Sequence, residues 1–137
     1  TVWYDAFVDT TTNPSDVRYT GTAARAACVG DNGGAAVCGT TVPIESAAGV
    51  GSRFSHWRES VFRSELMTPS IGPNFPMPFS HTSVGALEDL GYEVTYSLAD
   101  PFVIPTPLMD TPAVESTEGV IVLPEPMRPT FKLDGAG

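Results

Sequence analysis

Apolar and polar positions divide the chain into three stretches. From Thr1 to about Gly51, a short apolar cluster (Trp3, Tyr4, Phe7, Val8) gives way to a Thr-, Asn- and Pro-containing run from Asp9 to Ser15 that reads as loop. An Ala-rich segment starting at Thr20 or Gly21 and running through Cys28 predicts a short helix, since alanine is the strongest helix former. Gly30 to Gly34 ends it in a loop, and Val42, Pro43 and Ile44 read as extended. The second stretch, Phe54 to Val94, carries the clearest helix, His81 to Leu90. Ser80 is placed to cap it, Val84, Leu87 and Leu90 recur at helical spacing, and Gly91 stands where a left-handed residue closes a helix. Glu88 and Asp89 read as the solvent face of that helix, and Tyr92 to Tyr96 alternates as a strand does. Pro69, Pro73, Pro76 and Pro78 predict a stiff irregular loop ahead of it. The third stretch holds more than half of the prolines and reads as an extended tail or linker, with Val120 to Leu123 as a short edge strand. The expected fold class is therefore α+β and loop-rich: one short helix, one closing helix near 81–90 and few short strands. The expected division is a partial domain over 1–98 and a Pro-rich tail over 99–137.

Composition narrows the function classes. The 137 residues suffice for one domain, and 42% apolar residues permit a packed core. A formal net charge of −9 with no basic cluster argues against nucleic acid, whose phosphates demand concentrated Lys and Arg. No run approaches the ~20 apolar residues that span a bilayer. Two cysteines, Cys28 and Cys38, flank a Gly-rich segment that cannot build its own core. A disulfide is preferred there over a free pair, which favours an extracellular or cell-surface location. The pair lacks the spacing of a metal site.

Candidate chemistry is sparse. The only histidines are His56 and His81, and the chain contains no HExxH, no Gly-x-Ser-x-Gly elbow and no phosphate-binding loop. The run Gly49 to Met67 changes the picture: Gly-Val-Gly-Ser-Arg-Phe-Ser-His-Trp-Arg-Glu-Ser-Val-Phe-Arg-Ser-Glu-Leu-Met. It resembles the leishmanolysin-like zinc metallopeptidases, a metzincin family in which a His-Trp-Arg-Glu segment supplies the third zinc ligand and Glu-Leu-Met forms the turn beneath the metal. Supporting likenesses are Cys38 to Glu45 upstream and Ala86 to Tyr92 downstream, so that the resemblance covers about Thr1 to Val94. In the family, HExxH precedes a Gly-Phe-Gly turn and often a Thr-x-Trp. Thr1-Val2-Trp3 then implies a chain beginning just after the catalytic helix.

The resemblance implies His56 as a zinc ligand and Met67 as the residue of the Met-turn. Arg58, Glu59 and Glu65 become candidates for orienting His56. The two other histidine ligands and the general-base Glu are expected upstream, so no catalytic group is assigned within the chain, and the chain alone is expected to be inactive. The implied cofactor is Zn2+ and the implied partners are a protein or peptide substrate and the missing N-terminal half. Pro43 and Ile44 are placed near a substrate cleft, where peptides add as strands. The competing expectation is a non-enzymatic secreted interaction or adhesion module that keeps this subdomain without its catalytic half.

Overall fold

The computed structural model describes residues 6–71 and 76–105. Trp3, Tyr4, Pro73, Val120 to Leu123 and the rest of the tail beyond 105 lie outside the described residues. The order is β1 (Val8–Asp9), β2 (Arg18–Tyr19), α1 (Thr22–Val29), α2 (Ala35–Cys38), β3 (Val42–Pro43), α3 (Glu59–Phe62), α4 (His81–Asp89) and a 3-10 turn at Tyr96–Leu98. The three strands form an antiparallel sheet in the order β1-β2-β3, with Val8 opposite Tyr19 and Tyr19 opposite Val42. An isolated bridge between Ile44 and Trp57 continues the pairing beyond β3. The α+β, loop-rich class expected from the sequence is the observed one.

Helix α1 buries Ala24, Ala27 and Cys28, one stripe at helical spacing. Its first turn has no capping side chain of its own at Gly21. The orphan amides of Ala23 and Ala24 instead donate to the Asp89 carboxylate of α4, at 2.9 and 3.0 Å. Asp89 is thus a cap supplied by a distant helix rather than part of a solvent face, and its negative charge suits a helix N-terminus. Helix α4 begins as expected, with Ser80 Oγ accepting from the Ser83 amide. It ends with Gly91 at φ 90°, the amides of Gly91 and Tyr92 donating back to the carbonyls of Glu88 and Leu87. Those two bonds define a Schellman closure, which requires a left-handed residue and so favours glycine.

The buried stripe of α4 differs from the expected one. Thr82, Ser83, Val84 and Gly85 are buried, while Leu87 and Leu90 are partly exposed on the wall of a cavity described below. Polar and small residues suffice on the buried side because α4 crosses α1 at Gly85 and because Asn32 accepts from both the amide and the hydroxyl of Thr82. Tyr92 to Tyr96 forms no strand: Tyr92 is exposed, and the chain instead enters the 3-10 turn that sets Tyr96 Oη against Glu88. Alternation alone does not make a strand when no neighbouring edge is there to pair with it.

Five aromatic rings run through the core in contact: Phe7 on Tyr19, Tyr19 edge-on to Trp57, Trp57 on Phe62, and Phe62 on Phe102, with successive centroids 5.6, 5.5, 5.6 and 6.3 Å apart. The last ring belongs to the segment assigned above to the Pro-rich tail. Phe102 and Ile104 are buried there. The backbone is held by Asn32, whose Nδ2 donates to the Phe102 carbonyl at 2.8 Å and whose own carbonyl accepts from the Ile104 amide at 2.9 Å. The packed unit therefore runs on past residue 98. Cys28 and Cys38 are joined in a disulfide, linking the end of α1 to α2 across a Cα–Cα distance of 6.2 Å.

Candidate functional site

The loop 46–55 is organised by one carboxylate. Glu45 is buried, and its Oε1 accepts from the amides of Ala47 and Ala48 at 2.7 and 3.1 Å while Oε2 accepts from the amide of Glu59 at 3.1 Å. Its backbone pairs across the loop: the Phe54 amide donates to the Glu45 carbonyl, and the Glu45 amide donates to the His56 carbonyl. Phe54 closes the loop at φ 68°, a left-handed conformation. This closed loop delivers the Ser52 carbonyl to the imidazole of His56.

His56 Nδ1 lies 3.1 Å from the Ser52 carbonyl and 3.0 Å from Ser55 Oγ. A carbonyl oxygen only accepts, so the Ser52 contact is a hydrogen bond in the Nδ1–H tautomer, which leaves the Nε2 lone pair available, while Ser55 Oγ pairs with either tautomer. Metal-binding histidines are commonly oriented in this way, one nitrogen donating to a carbonyl and the other left to ligate. On the C-terminal side, the Trp57 amide donates to the Met67 carbonyl at 2.9 Å. The peptide unit joining His56 to Trp57 is therefore anchored at both its oxygen and its nitrogen.

His56 and Met67 line the same cavity, of about 220 Å³, whose walls include Phe54, Trp57, Leu87 and Leu90. Met67 keeps part of its surface accessible, and its thioether is a soft, adaptable packing group. The lining is almost wholly apolar, with His56 and two serines as its polar members apart from the Tyr19 phenol and the Trp57 indole.

The other sequence candidates fall elsewhere. Arg58 pairs with Asp16 at 2.6 Å and donates to the carbonyls of Ile44 and Val17, tying the residues just before β2 to the segment after β3. The guanidinium groups of Arg18 and Arg58 hold the Asp16 carboxyl below the usual carboxylate range. Glu59 accepts from the Ser70 amide. Glu65 is fully buried and bonds to the Met67 amide, to Ser80 and to Ser83. None of the three hydrogen-bonds to His56. The groups that hold the imidazole, the Ser52 carbonyl and Ser55 Oγ, carry no pattern visible in sequence, because one is main chain and the other an ordinary loop serine. His81 stands apart at the start of α4, stacked on Tyr96. Ile44, a strand position expected near a cleft, does line the cavity, whereas Pro43 is packed inside β3.

For a zinc ion, His56 is a suitable donor: the Nδ1–H tautomer leaves Nε2 free, and the residue lies on a cavity wall. Among the described residues no three His, Cys, Asp or Glu side chains cluster in a way that would hold a metal. His56 alone would supply one of the three ligands that a catalytic zinc takes from its protein. No helix of the described residues is long and apolar enough to cross a membrane.

Glu45 has a consequence for acid stability. Burial pushes its carboxyl up, but the amides of Ala47, Glu59 and Ala48 outweigh that and leave it below its ordinary value of 4.5. A carboxyl depressed in the folded state contributes stability above its unfolded value, and that contribution is lost as pH falls through the folded value. Urea denaturation is therefore expected to show Glu45→Gln losing less stability than the parent between about pH 5 and pH 3. Parallel losses in the two proteins would show that Glu45 does not drive the acid response.

Comparison with protein-family models, with curated proteins and with solved structures returns no match for this chain.

Proposed function

We propose that this chain is the C-terminal part of a zinc-dependent metalloendopeptidase, with His56 as one metal ligand and Met67 as the methionine beneath the metal. The observation that carries the reading is their shared cavity: the two residues that the His-Trp-Arg-Glu and Glu-Leu-Met segments single out line one apolar pocket, with the imidazole held so that Nε2 is available.

On this reading His56 contributes a neutral imidazole, Ser52 fixes its tautomer, and Met67 packs under it. The metal, when bound, would activate a water toward a peptide carbonyl by lowering its pKa to about 7. On the same reading the remaining ligands and the general-base Glu would come from an HExxH helix outside these residues. The apolar cavity suits an apolar side chain of a protein or peptide substrate. The Cys28–Cys38 disulfide agrees with an extracellular or cell-surface setting. A second reading is a non-enzymatic interaction module retaining this subdomain; among the described residues no three His, Cys, Asp or Glu side chains cluster to hold a metal.

The two readings separate in the parent protein. His56→Ala in the full-length protein is expected to abolish both bound zinc, measured by atomic absorption, and peptide hydrolysis, while circular dichroism stays unchanged. A parent that holds no zinc, or a variant that retains both zinc and hydrolysis, would favour the interaction module.

A further inference from the structure

Glu65 is a fully buried carboxylate with no ion-pair partner among the described residues. Such a group is costly unless its oxygens are fully hydrogen-bonded. Here four donors converge on it. Oε1 accepts from Ser83 Oγ at 2.5 Å, Ser80 Oγ at 2.8 Å and the Ser80 amide at 3.0 Å, and Oε2 accepts from the Met67 amide at 2.5 Å. The bonds continue beyond the carboxylate and close into a ring. The Met67 carbonyl accepts from the Trp57 amide, and the Trp57 indole Nε1 donates at 2.8 Å to Ser83 Oγ, which returns to Glu65. The ring thus ties the turn at Met67, the start of α4 and the residue next to His56 to one buried side chain.

We infer that Glu65 is a positioning residue that sets Met67 and the His56–Trp57 peptide at a fixed spacing on the cavity wall. The functional meaning rests on the metallopeptidase reading; the geometry does not. An apolar side chain of similar volume would fill the space but leave the Met67 and Ser80 amides unpaired. Glutamine preserves the shape and nearly all of the bonding. With its carbonyl on the serine side it keeps three acceptor contacts and turns its NH2 toward the Met67 amide, a donor facing a donor. Glu65→Gln therefore cuts the ring at Met67 alone, whereas Ser83→Ala removes both the Trp57 indole bond and the Ser83 contact to Glu65 while leaving the Met67 amide on Oε2.

The test is ¹⁵N NMR of the 137-residue chain and its two variants, without metal or substrate. In Glu65→Gln, hydrogen exchange at the Met67 amide is expected to rise about tenfold through loss of its bond to Glu65, and exchange at the Trp57 amide, which donates to the Met67 carbonyl, is expected to rise with it. The His56 ring should pass from one Nδ1–H tautomer to a mixture, while the Trp57 indole signal stays in place. In Ser83→Ala the indole signal moves and the Met67 amide remains protected. The Thr82 amide, bonded to Asn32, is the internal control. Uniform acceleration that includes Thr82, or a Glu65→Gln spectrum with wild-type Met67 exchange and a single His56 tautomer, would overturn the inference. Failure here is separate from failure of the metallopeptidase reading, which bound zinc in the His56→Ala parent decides.

Discussion

Phe62→Ala is expected to destabilise the fold by about 3–5 kcal/mol, the range for emptying a buried aromatic site. Phe62 is fully buried and stands in the row of rings with Trp57 on one side and Phe102 on the other. Its removal opens a cavity and also separates two ring pairs, each worth roughly 0.5–1.5 kcal/mol beyond area alone. The site cannot readily collapse, because Trp57 is fixed through its indole to Ser83 and through its amide to Met67, and Phe102 is fixed through its carbonyl to Asn32. Single domains are stable by only about 5–15 kcal/mol, so this one substitution removes a large fraction of the total. Urea denaturation of the two proteins measures it. A loss below about 1 kcal/mol would mean that the row of rings contributes little.

Gly85→Ala is expected to destabilise by about 2 kcal/mol, against the direction that helix propensity alone dictates. Alanine inside a helix is favoured over glycine by roughly 1 kcal/mol. A Cβ on Gly85, however, would meet the Ala23 carbonyl carbon and oxygen and the Ala24 nitrogen, each at 2.7 Å. Those are main-chain atoms of α1, so no rotamer change relieves the collision and the helices must separate, at a cost toward the upper end of about 1–3 kcal/mol or beyond it. Separation would also pull Asp89 from the amides it caps. A thermal melt in which Gly85→Ala unfolds at a higher temperature than the parent would show that propensity wins and that the crossing is looser than described.

What was legible in the sequence is what local chemistry decides. Ser80 and Gly91 mark the ends of α4 through a side-chain oxygen and a left-handed backbone, both short-range effects, and both stand where expected. The disulfide follows from two cysteines around a Gly-rich segment. Long-range pairing was not legible. Asp89 reads as surface because its partners lie 65 and 66 residues away on α1. Asn32 in a Gly-rich loop reads as a turn residue, yet it joins α1, α4 and the segment at Phe102 with its side chain fully buried. Leu87 and Leu90 have the spacing of a core face, and spacing does not distinguish a core from the wall of an open cavity. At the candidate site, His56 and Met67 were singled out by the resemblance alone. Their support, the Ser52 carbonyl, Glu45 and the ring through Glu65 and Ser83, depends on folded geometry that no spacing encodes.

The central claim, that His56 is one ligand of a catalytic zinc, is tested most directly by reading the coding sequence upstream of Thr1. An in-frame HExxH followed closely by Gly-Phe-Gly is the predicted result, since it would supply two further histidines and a general-base Glu for the proposed site. An upstream frame without HExxH would contradict the catalytic account and leave the chain as an interaction module.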